Sequence, residues 1–372
     1  MPETIPILEK LVRFSTVSDR SNLDLVDWIV DLLAPWGARI RLTHDDSRCK
    51  ANIVASFGPD VPGGVVLSAH TDVVPVEGQD WSSDPFVLTR RDDRLHGRGT
   101  ADMKGFVACC LAAAPSFAAA RLKRPIHLAF SYDEEVGCLG VGRLIADLLA
   151  HAGRPGLAIV GEPTRMRIGA SHRGCHGFRT RFHGQAAHSS DPAAGTSAIY
   201  PAAEFVSYLK AIALENSVAG TGTTFNVGRI DGGSAINIVP AVCDIIWEFR
   251  TPGSFDTAAL EAEIRGVLAG MTPQGVRCET EGLIQVAALS PSTQAIERVR
   301  AFGAIEPVEH LLFGTEAGFF QAAGVPVVVC GPGSIDQAHR PDEWIDVDQL
   351  LACDRFLARV VDWAATTSPD VV

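Results

Sequence analysis

The sequence lacks any apolar run approaching the roughly eighteen residues that a membrane-spanning helix requires, so no helical membrane protein is expected. None of its nine cysteines forms a Cys-x-x-Cys pair, which argues against a zinc ribbon or a disulfide framework. Free thiols fit a reducing cytoplasm. Basic charge is also scarce: 32 Lys and Arg stand against 44 Asp and Glu, for a formal net charge of −12. Nucleic acid is therefore not expected as a partner, since a phosphate backbone wants a basic face. Neither GxxxxGK[ST] nor a GxGxxG after a first strand occurs, which removes the usual phosphate-cradling loops. The start, MPETIPILEKLVRF, has no signal-peptide core, and no internal repeat, low-complexity tract or long linker follows. What is present is 372 residues with 47% hydrophobic and 20% charged side chains, enough for two or three structural units and an ample core without staples. The expectation is a soluble, cytoplasmic, globular enzyme.

The pattern along the chain changes twice. Residues 4–14 and 22–36 have helical apolar spacing, the second preceded by Ser21 and Asn22 as caps. Short apolar runs at 52–57, 65–69, 126–132 and 157–160 read as buried strands, with helices at 103–119 and 140–150 between them. Such alternation predicts an α/β sheet with helices on both faces. From Arg173 the texture differs: strand 178–183, helix 195–214, strands 223–230 and 241–250, helix 254–269 and strand 276–283 follow. That order, β-α-β-β-α-β, is the split ferredoxin-like unit. The tail returns to α/β texture with helix 293–302, strand 326–330 and helix 347–363. A catalytic domain of residues 1–172 and 284–372, interrupted by an insert of residues 173–283, is the predicted organisation.

Carboxylates and histidines gather where strands end. VVLSA runs into His70-Thr71-Asp72, IHLAFSY into Asp133-Glu134-Glu135, and LAIV into Gly161-Glu162. Asp102 lies in a loop entering a helix, and His339 follows PVVVC through a Gly-Pro-Gly loop. Ligands of open α/β sheets bind outside the carboxyl ends of strands, so these groups can converge. His70 and Asp72 share a side of an extended strand, so one can bind metal while the other orients its imidazole. Two histidines and three carboxylates suit hard or borderline cations, with zinc favoured by imidazole. Shared between two ions, one carboxylate must bridge, and one acid must stay off the metal to move protons; Glu134, beside Glu135, is placed for that. Each group has an ordinary reading by itself: Asp102 as a helix cap, Glu134-Glu135 as an exposed turn, Glu162 as a loop acid, His339 as a surface residue. His127 reads as structural within its strand, and His44, His151 and His310 as solvated. The joint pattern at the ends of strands in one sheet favours a metal centre.

The segments SAHTDVVP, HGRGTADMKGF, SYDEEVGCLG, VGEPT, AAHSS, GGSAINIVPA and GPGSIDQAHRPDE resemble the dinuclear zinc amidohydrolases, the family that includes acetylornithine deacetylase, succinyl-diaminopimelate desuccinylase and aminoacylase. TADMKGF, DEEVGCLG, FGTEAG and GPGSIDQAHRPDE are most similar to the acetylornithine branch. The resemblance implies a zinc-peptidase-like α/β catalytic domain with a mixed sheet, carrying an inserted ferredoxin-like α+β lid and dimerisation domain. It implies two zinc ions, with cobalt as a possible substitute: His70, Asp102 and Glu162 for one, Asp102, Glu135 and His339 for the other, Asp102 bridging. Asp72 would orient His70, and Glu134 would serve as general base and then acid. His188 would polarise the scissile carbonyl, often in the partner subunit's site. Arg250 and Asn237 match substrate-binding positions, with Arg173, Gly314 and Thr315 as further candidates. Arg250 suits a substrate carboxylate, which guanidinium grips bidentately. Glu316 stands where other members carry aspartate and could help neutralise a basic substrate side chain; His96 stands where relatives show an aromatic. The implied substrate is a small N-acyl amino acid, N2-acetyl-L-ornithine, split to L-ornithine and acetate as in arginine biosynthesis. Succinyl-diaminopimelate and acetylcitrulline are alternatives. A catalytically silent metal-binding protein is a reading from another class, opposed by the intact Glu134. No membrane or nucleic-acid partner is implied.

Overall fold

The apolar runs become strands buried along their whole length: Ala51–Phe57, Val65–His70, Ile126–Ser131, Leu157–Pro163 and Val327–Gly331. The computed structural model describes residues 4–253 and 255–367. Among them the chain divides into one unit that ends at His172 and resumes at Leu289, and a second of Arg173–Ala288. In the first unit the described residues form an eight-stranded sheet in the order Arg39–His44, Ala51–Phe57, Ile126–Ser131, Val65–His70, Leu157–Pro163, Val327–Gly331, Arg167–His172, Ile305–Leu311. Strand Val65–His70 runs parallel to both its neighbours, and Leu157–Pro163 parallel to Val327–Gly331. Ala51–Phe57 and Arg39–His44 pair antiparallel, so the sheet is mixed. Full burial of the central strands requires cover on both faces. Helices Thr4–Arg13, Leu23–Leu33, Gly105–Ala112 and Val347–Thr366 contribute to the same apolar core. The four parallel strands bring their carboxyl ends to one edge, where His70 and Glu162 stand.

The predicted helix 103–119 is two helices. Asp102 (φ −123°, ψ 94°) and Met103 (φ −131°, ψ 33°) are not helical; the first helix starts at Gly105, and a second, Ala114–Ala119, carries Pro115 at its start. Pro lacks an amide proton and so suits a new helical N-terminus. Gly161 precedes Glu162, and an added Cβ would stand 2.1 Å from carbons of the Phe106 ring. The opposing Gly331 is equally tight, its added Cβ falling 2.0 Å from the Gly161 carbonyl oxygen.

The inserted unit has strands Gly174–His183, Thr224–Gly232, Val242–Thr251 and Arg277–Val286 and helices Ile199–Ala219 and Thr257–Met271. The expected helix at 254–269 is this last one, and its first expected residue, Ser254, lies outside the described residues. The strands are antiparallel in the order Thr224–Gly232, Val242–Thr251, Gly174–His183, Arg277–Val286, a ferredoxin-like sheet. The expected return to the first unit at residue 284 comes instead at Leu289, because the last strand pairs with Gly174–His183 as far as Val286. Phe178, Phe182, Phe205, Trp247 and Phe249 form the core between this sheet and its helices.

Candidate metal centre

His70 closes its strand with its imidazole buried. Its Nδ1 lies 2.9 Å from the backbone carbonyl of Asp72. A carbonyl only accepts, so Nδ1 donates to it, and Nε2, hydrogen-bonded to Asp102 here, is the nitrogen that would turn its lone pair to a bound cation. That Nε2 stands 3.0 Å from Asp102 Oδ1 and 3.7 Å from Glu162 Oε1. The other oxygen of Asp102, Oδ2, lies 3.3 Å from His339 Nε2, which is also 3.0 Å from Glu135 Oε2. Asp102 thus turns one oxygen to each imidazole. Among the described residues two clusters can hold a cation, His70 with Asp102 and Glu162, and Asp102 with Glu135 and His339, the ligand atoms of each lying within 4.8 Å of one another.

Asp72 acts differently from expectation. Its carboxylate is 3.6 Å from His70 Nδ1, and the hydrogen bond to the ring goes to its backbone carbonyl. The carboxylate accepts the backbone N–H of Glu134 at 3.1 Å, that of Glu135 at 3.2 Å and the Ser18 hydroxyl at 2.7 Å. It therefore fixes the loop that carries both glutamates. The same loop folds back on itself, with the N–H groups of Gly137 and Cys138 donating to the Glu134 carbonyl, each at 2.9 Å. Cys138, in a left-handed conformation (φ 58°), stands with its thiol 3.5 Å from Glu134 Oε1. Burial pushes that thiol far up, so it stays protonated and donates.

The electrostatics fit cations. Burial raises Glu134, Glu135 and Glu162, Glu135 to about 7, and the crowding of carboxylates adds to each. Burial also opposes ionisation of Asp102, but hydrogen bonds from His339 and His70 hold it below the usual carboxylate range. Hydrogen bonds to Asp102 and Glu135 raise His339 to about 10. Buried acids packed this closely want positive charge, which divalent cations supply without further ordering. The nitrogen and oxygen donors, one carboxylate shared, suit a pair of borderline ions.

Glu343 was not singled out in the sequence. Its fully buried carboxylate accepts the backbone N–H groups of Gly99, Ala101 and Asp102 at 2.9, 2.9 and 3.1 Å, and the Arg98 guanidinium at 2.8 Å. It locks the non-helical stretch that presents Asp102; its signal was its place at the end of GPGSIDQAHRPDE.

The remaining candidates divide between the units. Thr315, expected near substrate, is fully buried; its hydroxyl pairs with His172 Nε2 at 3.0 Å and accepts from Ala317 N–H at 3.1 Å, so it starts a helix rather than facing a ligand. Gly314 is half-buried just before it. Glu316 is also buried, bonded to the hydroxyls of Ser131 and Ser68. In the inserted unit Arg173 is the first residue. Arg250 is half-buried, and its Nε donates to Glu248 at 3.1 Å. His188 and Asn237 are exposed and line one open cavity of about 440 Å³ with Ala186, Ala187 and Ile238. The Ser190 backbone N–H donates to His188 Nδ1 at 3.1 Å, which leaves the proton of the neutral ring on Nε2 as an outward donor.

Residues 66–363 match the model of peptidase family M20/M25/M40. The chain belongs to that family. As an M20 member it is a metal-dependent hydrolase, with the clusters around Asp102 as the candidate ligand groups. It is 32% identical to acetylornithine deacetylase of Pasteurella multocida, over 97% of this chain and 98% of that protein. It is 33% identical to the acetylornithine deacetylase of Erwinia tasmaniensis, over 97% of each. The M20 metallo-carboxypeptidase Sso-CP2 of Sulfolobus solfataricus shares the fold, with a TM-score of 0.79 at 15% identity over 99% of this chain and all of that one. No helix among the described residues is long and apolar enough to cross a membrane.

Proposed function

We propose that this M20 chain hydrolyses the N-acetyl amide of N2-acetyl-L-ornithine to acetate and L-ornithine, using two zinc ions held by His70, Asp102 and Glu162 and by Asp102, Glu135 and His339. The observation that carries the catalytic part is Asp102 facing both imidazoles, with Glu134 outside both ligand groups but close enough to His70 for their charges to act on each other. The substrate rests on the two curated relatives named above. When bound, the ions supply a water of lowered pKa and polarise the acyl carbonyl.

The chain's own residues do the rest. Glu134, next to the candidate ligand Glu135 and outside both ligand groups, carries the carboxylate that takes a proton from water. Its carboxyl then returns that proton to the departing α-amino nitrogen. Asp72 holds the Glu134 backbone and so sets where that carboxyl points. The Nε2–H of His188 supplies a hydrogen bond to the developing oxyanion. Arg250 grips the substrate's α-carboxylate, exchanging its ion pair with Glu248 for that contact, and Asn237 adds an amide beside His188.

The inserted unit serves as lid and dimerisation module in this reading. Its outermost strand Thr224–Gly232 and helix Ile199–Ala219 expose Ile230, Tyr200, Leu214 and Val218, apolar surface that a second copy would cover. Nine free thiols suit the cytoplasm. The test is acetate release from N2-acetyl-L-ornithine by zinc-loaded protein, with succinyl-diaminopimelate and acetylcitrulline alongside. Preference for acetylornithine, lost on chelation and restored by zinc, is expected. Metal-dependent turnover of another analogue would move the substrate within the family, and no turnover despite bound metal would overturn the catalytic reading.

A further inference from the structure

Two of the five candidate ligands, Glu135 and His339, stand on turns beyond the sheet; Asp72 holds the turn of Glu135, and His339 needs a holder of its own. It follows a short turn, Ile335–Gln337, has a left-handed backbone (φ 62°), and its side chain is 53% exposed. A ligand on such a loop holds its geometry only if neighbouring groups pin it.

Gln79, from a separate loop, meets that need. Its Nε2 donates to the His339 backbone carbonyl at 3.0 Å. Its Oε1 accepts from Arg98 Nη2 at 2.6 Å and from the Trp81 indole N–H at 3.1 Å. The orientation of the amide is forced, because guanidinium and indole only donate and a carbonyl only accepts. Arg98 is itself buried, with its guanidinium 5.0 Å over the Trp81 ring and its other edge on Glu343. Glu343 in turn binds the backbone that presents Asp102. A continuous path of hydrogen bonds therefore joins the backbone of His339 to the backbone of Asp102, through Gln79, Arg98 and Glu343.

We propose that Gln79 is a positioning residue for the second ion site, holding His339 in register with Asp102 and Glu135 so that this site binds its ion. The proposal rests on the two-ion reading above. Outer partners of metal ligands typically change affinity about 10- to 100-fold when removed; of the candidate ligands Gln79 bonds directly to His339 only and reaches Asp102 through two further residues, so its loss acts first on the second site.

The test is calorimetric titration of zinc into metal-free full-length protein, comparing wild type with Gln79→Met and Gln79→Glu. Methionine removes every polar contact at similar length. Glutamate keeps the acceptor for Arg98 and Trp81 and sets an oxygen against the His339 carbonyl. Both variants are expected to weaken the second zinc about 10- to 100-fold, to leave the first within a factor of three, and to keep the thermal midpoint of the metal-free protein. Unchanged second-ion affinity in both variants would overturn the proposal. Equal weakening of both ions with a lowered metal-free midpoint would also overturn it, making Gln79 a support of the fold only. Wild-type protein that takes up no second ion would overturn the two-ion reading, and this proposal with it.

Discussion

The two sheets of this chain bury their strands in different ways. In the first unit the central strands are buried at every position, as in Val65–His70 and Leu157–Pro163. In the inserted unit Val242–Thr251 alternates buried and half-buried positions, with Phe249 inward and Arg250 on the other face. A sheet covered on both faces has no free surface for chemistry, so its reactive groups stand at strand ends, where the backbone turns outward. A sheet covered on one face can present side chains along its length. The difference separates the residues proposed to handle metal and proton from those proposed to meet substrate.

The sharpest test of that separation is Glu134→Ala. Turnover should fall about 10³-fold or more, while elemental analysis still finds the wild-type metal content; substantial remaining activity would break the comparison. A stability effect of similar weight should arise on the other side. Phe205→Ala, in the core of the insert, should cost the inserted unit about 3–5 kcal/mol and leave metal content intact, with calorimetry reporting which transition moves. If metal is lost as well, the two regions do not act separately. His188→Ala should lower turnover about 10- to 100-fold, the range for a lost oxyanion donor or somewhat below it, without changing metal uptake. Loss of metal in that variant would mean that His188 is a ligand.

The smallest effect concerns the buried sheet itself. His127 lies within strand Ile126–Ser131 beside the Ser56 hydroxyl, and burial, then Arg39, pushes it down to about 4. The folded state keeps it neutral while the unfolded chain takes up a proton near pH 6.5, so stability is full above that pH and declines as pH falls toward 4. His127→Leu should therefore lose about 2 kcal/mol less than wild type between pH 7 and 4.5, measured by urea unfolding. An identical acid response would show that His127 does not sense the buried environment.

Legibility in the sequence follows the same division. Continuous apolar runs mark most central strands within a residue or two, though Leu157–Pro163 runs three residues past its apolar run and the interior strand Arg167–His172 has none; the β-α-β-β-α-β order of the insert is readable from its alternation. The edge strands are not: Arg39–His44 is largely exposed, and Ile305–Leu311 mixes Glu306, Pro307 and Glu309 into an exposed border. Single residues at strand ends suggest a metal centre, and the resemblance of whole segments divides them into ligands and base. The residues that hold those groups in place are harder to see, because Gln79 and Glu343 act on partners more than two hundred residues away; only the place of Glu343 at the end of a matching segment points to it, and nothing local points to Gln79. Asp72 shows the same limit: two residues from His70, it turns its carboxylate to a loop sixty residues on.

Gly161 sets a distance by what it lacks. The Phe106 ring rests where its side chain would be, so the helix that follows Asp102 lies against the strand that ends in Glu162 with no atom to spare. In a genetic screen position 161 would behave as an active-site residue, tolerating glycine alone, though it offers neither charge nor donor to any ligand. Anyone transplanting the ligand set onto another scaffold would have to carry this missing methyl along with it.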